Sequence, residues 1–251
     1  MYFRILSHPP THGLAYLLAD SDEREAVVID PDPGQCELIR ALLDERDLHL
    51  RLVLRTHVHA GQAGCCEALC RHTGASLVVG AGHSAPADVG KRPVVDTYTA
   101  SQPPRAGSGL PSQGTARRVS HGDHLVFGNE VLRVLATPGH TPCSVSYLWR
   151  DRLFCGDVFH LDGCPAERPP ANETDPGALF DSLTQRLFLL PLETLVFPAH
   201  SLEGRQVTTI GEERNRHARR MSRSRESFVT GAVRPRQTAA PVGRKRGDKS
   251  H

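Results

Sequence analysis

Four apolar stretches of this chain each run into a residue that can bind a metal. "LRLVLRT" leads to His57 and His59, "EVLRVLATPGH" ends on His140, "RLFCGD" ends on Asp157, and "TLVFPAH" ends on His200. Short runs rich in Val, Leu and Phe, bounded by Gly or Pro, read as β-strands. A fold that satisfies all four has to bring their ends to one edge, because functional groups just beyond strand ends converge there in many α/β sites. One such histidine in isolation reads as an ordinary structural residue. Five candidate donors in the same kind of place read as a metal site.

The remaining segments supply the scaffold. "GLAYLLAD" (13–20) and "EAVVID" (25–30) read as two strands joined by the turn "SDER". "QCELIRALLDERD" has apolar residues at 38, 39, 42 and 43, a helical spacing. "AGCCEALCRHTGA" reads as a second helix stopped by Gly74, followed by the strand "SLVVG". "HLVFG" and "EVLRVLA" are further strands, "CSVSYLWRDRLFCGD" (143–157) is a hairpin around "RD", and "DPGALFDSLTQRLFLL" (175–190) is an amphipathic helix. Residues 208–228 read as one helix, with Thr209 and Glu212 in a capping box. Strands and helices therefore occur in two halves, which predicts two packed sheets with helices outside. Residues 83–116, rich in Pro, Gly and Ser, read as a long loop insertion in a single domain covering 1–221.

Charge is unevenly placed. From Arg214 onward there are 12 Lys/Arg against 2 Asp/Glu, which leaves 18 against 26 in the rest of the chain. An acidic body carrying a basic tail is the expectation, with 222–251 solvated and disordered. The tail lacks aromatic interleaving beyond Phe228, so no specific nucleic-acid partner is expected. No run of eighteen apolar residues exists, so no membrane span is expected, and the start "MYFRILSHPP" lacks the apolar stretch of a secretory signal. A cytoplasmic location is the expectation. The seven cysteines, at irregular spacings, read as reduced thiols rather than a disulfide framework.

The series "THVHAGQ", "TPGHTP", "CGD" and "PAH", in this order, resembles the metallo-β-lactamase superfamily from about residue 3 to about 220. That resemblance implies an αββα sandwich, two mixed sheets with helices on both outer faces and metal at one edge. Within the superfamily, "EAVVIDP", "TPGHTP", "GDVFHLDGC" and "VFPAHSLEGRQVTTIGEER" are most similar to the persulfide dioxygenases, near relatives of the glyoxalase II thioesterases. Dinuclear members hold a second metal partly through the Asp and second His of His-x-His-x-Asp-His. Here those positions are Gly61 and Gln62, which disfavours a two-metal hydrolase.

The resemblance implies one Fe(II) held by His57, His140 and Asp157, with no catalytic residue beyond the metal site. His59 and His200 would orient ligands or water, or serve as alternative ligands. A mononuclear Zn(II) site on His57, His59 and His140 is the competing arrangement. The implied reaction oxidises a thiol persulfide, typically that of glutathione, with O2 to sulfite and thiol. Arg219, Arg168 and Cys164 are the candidates for substrate contacts. This chain has "GCPAERPPANETD" where the family has a "GCGRTD"-like stretch, and Leu202 where a tyrosine is expected. A homodimer is compatible with the sequence but not required by it. Two other functions stay open at this stage: a zinc thioester hydrolase, and a non-catalytic binding protein on a decayed site.

Overall fold

The computed structural model describes residues 1–59, 65–82, 116–159, 174–201, 204–221 and 224–233. One sheet holds β1 (Tyr2–His8), β2 (Gly13–Asp20), β3 (Glu25–Ile29), β4 (His49–Leu54), β5 (Ser76–Gly80) and β6 (Arg117–Val119), in that spatial order. The first three strands pair antiparallel and the last four parallel. Helices α1 (Cys36–Glu45) and α2 (Cys65–Thr73) make the β3–β4 and β4–β5 crossovers. The second sheet holds β7 (His124–Phe127), β8 (Glu130–Ala136), β9 (Val145–Trp149), β10 (Arg152–Gly156), β11 (Leu195–Pro198) and β12 (Thr208–Thr209). Helix α3 (Pro176–Gln185) connects the parallel pair β10–β11, and α4 (Ile210–Met221) and α5 (Arg225–Val233) follow. The αββα sandwich is the observed architecture.

Alternation along each strand explains the layering. Tyr16, Leu18, Val27, Leu54, Tyr147 and Phe154 meet between the sheets. Their strand neighbours Leu17, Val28 and Val53 face outward and pack under Ile39, Leu42 and Leu69 of α1 and α2. On the other side Leu153, Cys155 and Val196 pack beneath Leu183, Leu187 and Ile210. Strand β2 is buried at every position because both of its faces are covered. Strand β8, between β7 and β9, keeps the plain alternation in its first half, with Val131 and Arg133 exposed. Each fully buried aliphatic side chain contributes roughly 1.5–3 kcal/mol. The five cysteines at 36, 66, 70, 143 and 155 are free, in keeping with reduced thiols. Among the described residues no helix is long and apolar enough to cross a membrane.

Several expectations need correction. The helix foreseen over 175–190 stops at Gln185, and a 3-10 turn follows at Leu187–Leu189. The tighter turn seats Leu187 fully in the core and swings Leu189 out to 74% exposure. The single helix foreseen over 208–228 is instead β12, α4 and α5. Only half of the capping box forms: the Glu212 N–H donates to Thr209 Oγ1, while the Glu212 carboxylate accepts from Thr208 Oγ1 and Arg205. The stretch 222–251, expected to be a disordered tail, contains α5. Arg225 donates to both carboxylate oxygens of Asp181 on α3 at 3.0 and 2.9 Å, and the tilted rings of Phe228 and Phe180 pack with centroids 5.4 Å apart. Residues 222–223 and 234–251, and 83–115 of the insertion, lie outside the described residues.

Trp149, the only tryptophan, reports on the far end of the sandwich. Its Nε1–H donates to Glu130 Oε2 at 2.8 Å, and Arg150 Nε donates to the same oxygen at 2.9 Å. The bonds from Arg150, then that from Trp149, hold the Glu130 carboxyl below its ordinary range. A carboxyl lowered in the folded state contributes stability above its unfolded pKa and loses it as pH falls through the folded value. Urea midpoints followed by Trp149 fluorescence are therefore expected to hold above about pH 5 and to drop as pH falls from about 5 to about 3. Glu130→Gln is expected to lose about 1 kcal/mol at pH 7 and to flatten that dependence. An unchanged pH profile in the variant would count against this role.

Candidate metal centre

All four ligand-bearing strand ends meet at one edge of the sandwich. Beyond β4, Thr56 turns the chain so that His57 is buried. Thr56 is held from two sides. Its N–H and hydroxyl donate to Asp30 Oδ1 and Oδ2 at 2.8 and 2.6 Å, and its carbonyl accepts from Val145 N–H at the start of β9. The last bond ties the two sheets together at the site.

His140 sits on the loop between β8 and β9. Gly139, at φ +140°, packs directly on the backbone of Leu179 in α3, and its carbonyl accepts from the Asp175 N–H. Ser182 of α3 donates to the Pro138 carbonyl at 2.7 Å. Downstream, Ser144 Oγ accepts from the Thr141 N–H. Helix α3 and this hydroxyl network together fix the loop.

Asp157 follows Gly156, whose φ of +60° and missing side chain let the end of β10 close against Thr56. His200 follows β11, where the Ala199 N–H donates to the Gly156 carbonyl and Gly13 bridges to His200.

The side chains of His57, His59, His140 and Asp157 converge, with one ligand atom of each within 4.8 Å of all the others. Asp157 Oδ2 lies 3.4 Å from His57 Nε2 and 3.5 Å from His140 Nε2, and His59 Nε2 lies 3.4 Å from His140 Nε2. Ligands bonded to one metal at about 2.0–2.2 Å sit roughly 3.0–3.5 Å apart, so these separations suit a single ion. The three imidazole planes are nearly perpendicular to one another, as separate ligands directed at a common point would be.

Protonation favours ligation as well. Burial holds the His57 imidazole well below its ordinary pKa, against the pull of Asp157. Burial alone would raise Asp157, but the surrounding His57 and the hydrogen bond from His200 hold it well below the usual carboxylate range. A neutral imidazole and an ionised carboxylate are the forms that bind metal. The donor set fits one Fe(II) or Zn(II).

His200 has a different contact. Its Nδ1 lies 2.9 and 3.0 Å from the two oxygens of Asp157, a hydrogen bond shared across the carboxylate. The structure thus brings His59 into the four-donor group and places His200 behind Asp157. His200→Ala is expected to leave a metal site of the same stoichiometry but to weaken its affinity about 10–100-fold, read by competition with a chelator. Unchanged affinity would show that His200 does not orient Asp157. Cys164, Arg168, Gly61 and Gln62 lie outside the described residues, as does the side chain of Arg219, which the backbone places on α4.

Two residues behind His57, Thr56 and Asp30, were not foreseen. The sequence alone does not pair them: "VID" and "LRT" end strands that are distant in the chain, and only the parallel pairing of β3 with β4 brings Asp30 beside Thr56.

Comparisons with known proteins agree with this site. The pattern of the metallo-beta-lactamase superfamily matches residues 8–200. The human mitochondrial persulfide dioxygenase ETHE1 is 28% identical over 228 residues, which covers 90% of this chain and 78% of that protein. A hydroxyacylglutathione hydrolase of Vibrio campbellii is 31% identical over 185 residues, covering 74% of this chain and 60% of the hydrolase. The crystal structure of ETHE1 from Myxococcus xanthus superposes with a TM-score of 0.72 at 34% identity, covering 94% of this chain and 93% of that one. The chain belongs to the metallo-β-lactamase superfamily, and its homology within that superfamily runs to the ETHE1 persulfide dioxygenase branch.

Proposed function

We propose that this protein is a mononuclear, non-haem iron dioxygenase that oxidises a thiol persulfide, such as that of glutathione, to sulfite and the free thiol. The observation that carries the reading is the placement of Asp157 Oδ2 between His57 Nε2 and His140 Nε2, at 3.4 and 3.5 Å. Two imidazoles and one carboxylate leave the rest of an iron's coordination sphere open, the donor pattern of non-haem Fe(II) oxygenases. Similarity to the ETHE1 proteins supports the substrate class.

Bound iron would supply the redox chemistry that lets both atoms of O2 pass to the outer sulfur of the persulfide, and water would supply the third oxygen of sulfite as the S–S bond breaks and the thiol is released. The protein's own contribution is positional. Thr56 holds the His57 ring, α3 backs the loop that carries His140, and His200 fixes the plane of the Asp157 carboxylate. Burial of His57, His140 and Asp157 limits water at the ligand side of the site.

One observation favours a second reading. His59 Nε2 belongs to the same donor group, so His57, His59 and His140 form the three-nitrogen set suited to catalytic zinc. Under that reading the chemistry is hydrolysis of a thioester, the class suggested by the hydroxyacylglutathione hydrolases. Elemental analysis of protein purified without oxygen separates the two. The iron reading expects about one iron per chain, and about one zinc per chain would favour the hydrolase. A chain that holds no metal would fit the decayed-site reading instead.

A further inference from the structure

The hydrogen bonds behind His57 have a direction, and that direction decides which of its nitrogens can bind metal. Thr56 Oγ1 lies 2.6 Å from Asp30 Oδ2 and 2.9 Å from His57 Nδ1. A hydroxyl has one hydrogen to give and two lone pairs. Burial pushes the Asp30 carboxyl up, while the Arg55 guanidinium and the two Thr56 donors pull it back; in the ionised form that Arg55 favours, it can only accept. Asp30 also accepts the Thr56 backbone N–H on its other oxygen at 2.8 Å, with Arg55 Nε 3.9 Å away. The hydroxyl hydrogen therefore goes to Asp30, and Thr56 Oγ1 turns a lone pair toward His57. Nδ1 of His57 can complete that contact only by carrying the ring hydrogen. Nε2, the nitrogen 3.4 Å from Asp157 Oδ2, is then left with a bare lone pair.

We infer that Asp30, acting through Thr56, is a positioning residue that locks His57 in the Nδ1–H tautomer and presents Nε2 to the metal before any metal arrives. The inference rests on the metal-binding reading of the site, not on the identity of the reaction. Two backbone features show that the arrangement is built. Asp30 holds a left-handed φ of +49°, a conformation Asp tolerates better than most residues. Gly156 leaves the room that the hydroxyl occupies: a Cβ there would fall 2.5 Å from Thr56 Oγ1 and 3.3 Å from His57 Nδ1.

Asp30→Asn reverses the relay. The backbone N–H of Thr56 is a fixed donor and keeps the amide oxygen. The amide NH2 then faces Thr56 Oγ1 and donates to it. The Thr56 hydroxyl hydrogen turns to His57 Nδ1, so the ring carries its hydrogen on Nε2, toward the metal position.

The test reads the tautomer directly in metal-free protein, by long-range 1H–15N spectra of 15N-histidine-labelled chain at neutral pH. Wild type and Thr56→Ser are expected to show His57 as Nδ1–H, and Asp30→Asn as Nε2–H. Zn(II) affinity, measured by competition with a chelator, is expected to be retained in Thr56→Ser and to fall about 10–100-fold in Asp30→Asn. An Nε2–H His57 in the wild type would overturn the inference. So would an Asp30→Asn protein with the wild-type tautomer and affinity. Should Asp30→Asn fail to fold, Thr56→Val decides: loss of the single Nδ1–H form supports the relay, and its retention contradicts it. None of these readouts requires turnover, so absence of dioxygenase activity would refute the proposed function and leave the relay standing.

Discussion

Asp157→Ala is expected to strip the metal from the protein. Asp157 is buried, and it is the one anionic donor among three imidazoles. Sites with four protein ligands bind with roughly 10–16 kcal/mol, so one ligand accounts for about 3–4 kcal/mol, or two to three orders of magnitude in affinity. The alanine variant also leaves the His200 Nδ1–H without its acceptor. Metal content after dialysis should fall from about one per chain to about a tenth or less. Asp157→Asn separates charge from shape, because the amide oxygen can still accept from His200 while the negative charge is gone. Its metal affinity is expected to lie close to that of the alanine variant. A variant that keeps full metal content would mean that the three histidines suffice, the arrangement expected for zinc rather than iron.

The second large effect is expected at a residue that offers the metal no ligand atom. Gly139→Ala places a Cβ 2.4 Å from the Leu179 Cα and 2.5 Å from its backbone nitrogen, at a φ of +140°. Backbone atoms cannot rotate aside as a side chain can, so either α3 or the loop carrying His140 must shift. Over-packing and the unfavourable φ together are expected to lower stability by about 3 kcal/mol or more. His140 is the next residue, so Zn(II) affinity should fall with stability. Gly122→Ala is the matched control, since Gly122 also has a positive φ of +90° but nothing within 4 Å of its Cβ position. That variant should lose about 1 kcal/mol and keep its metal. Equal urea midpoints for the two variants, followed by Trp149 fluorescence, would contradict the packing account.

Much of this architecture is legible in the chain because the ligands punctuate the strands. A metal donor directly after each of four apolar runs fixes both the strands and the edge they share. What stayed hidden depends on contacts between distant segments. Strand β1 mixes buried and exposed positions with little alternation, since it is an outer strand of its sheet. Strand β6 is three residues long, with two exposed arginines, and is recognisable only through its pairing with β5. Helix α5 lies in a basic stretch that composition alone marks as solvated, yet Arg225 and Phe228 anchor it to Asp181 and Phe180. The role of Asp30 becomes visible only when β3 and β4 are known to be parallel neighbours, because 26 positions separate it from Thr56.

Oxygen consumption tests the central claim most directly. Protein loaded with Fe(II) under anaerobic conditions would be given glutathione persulfide and then air-saturated buffer, with O2 uptake and sulfite followed together. The account predicts equal amounts of O2 consumed and sulfite formed, in proportion to bound iron and absent in Asp157→Ala. Iron-loaded protein that takes up no oxygen, while the zinc-loaded form cleaves a glutathione thioester, would contradict it.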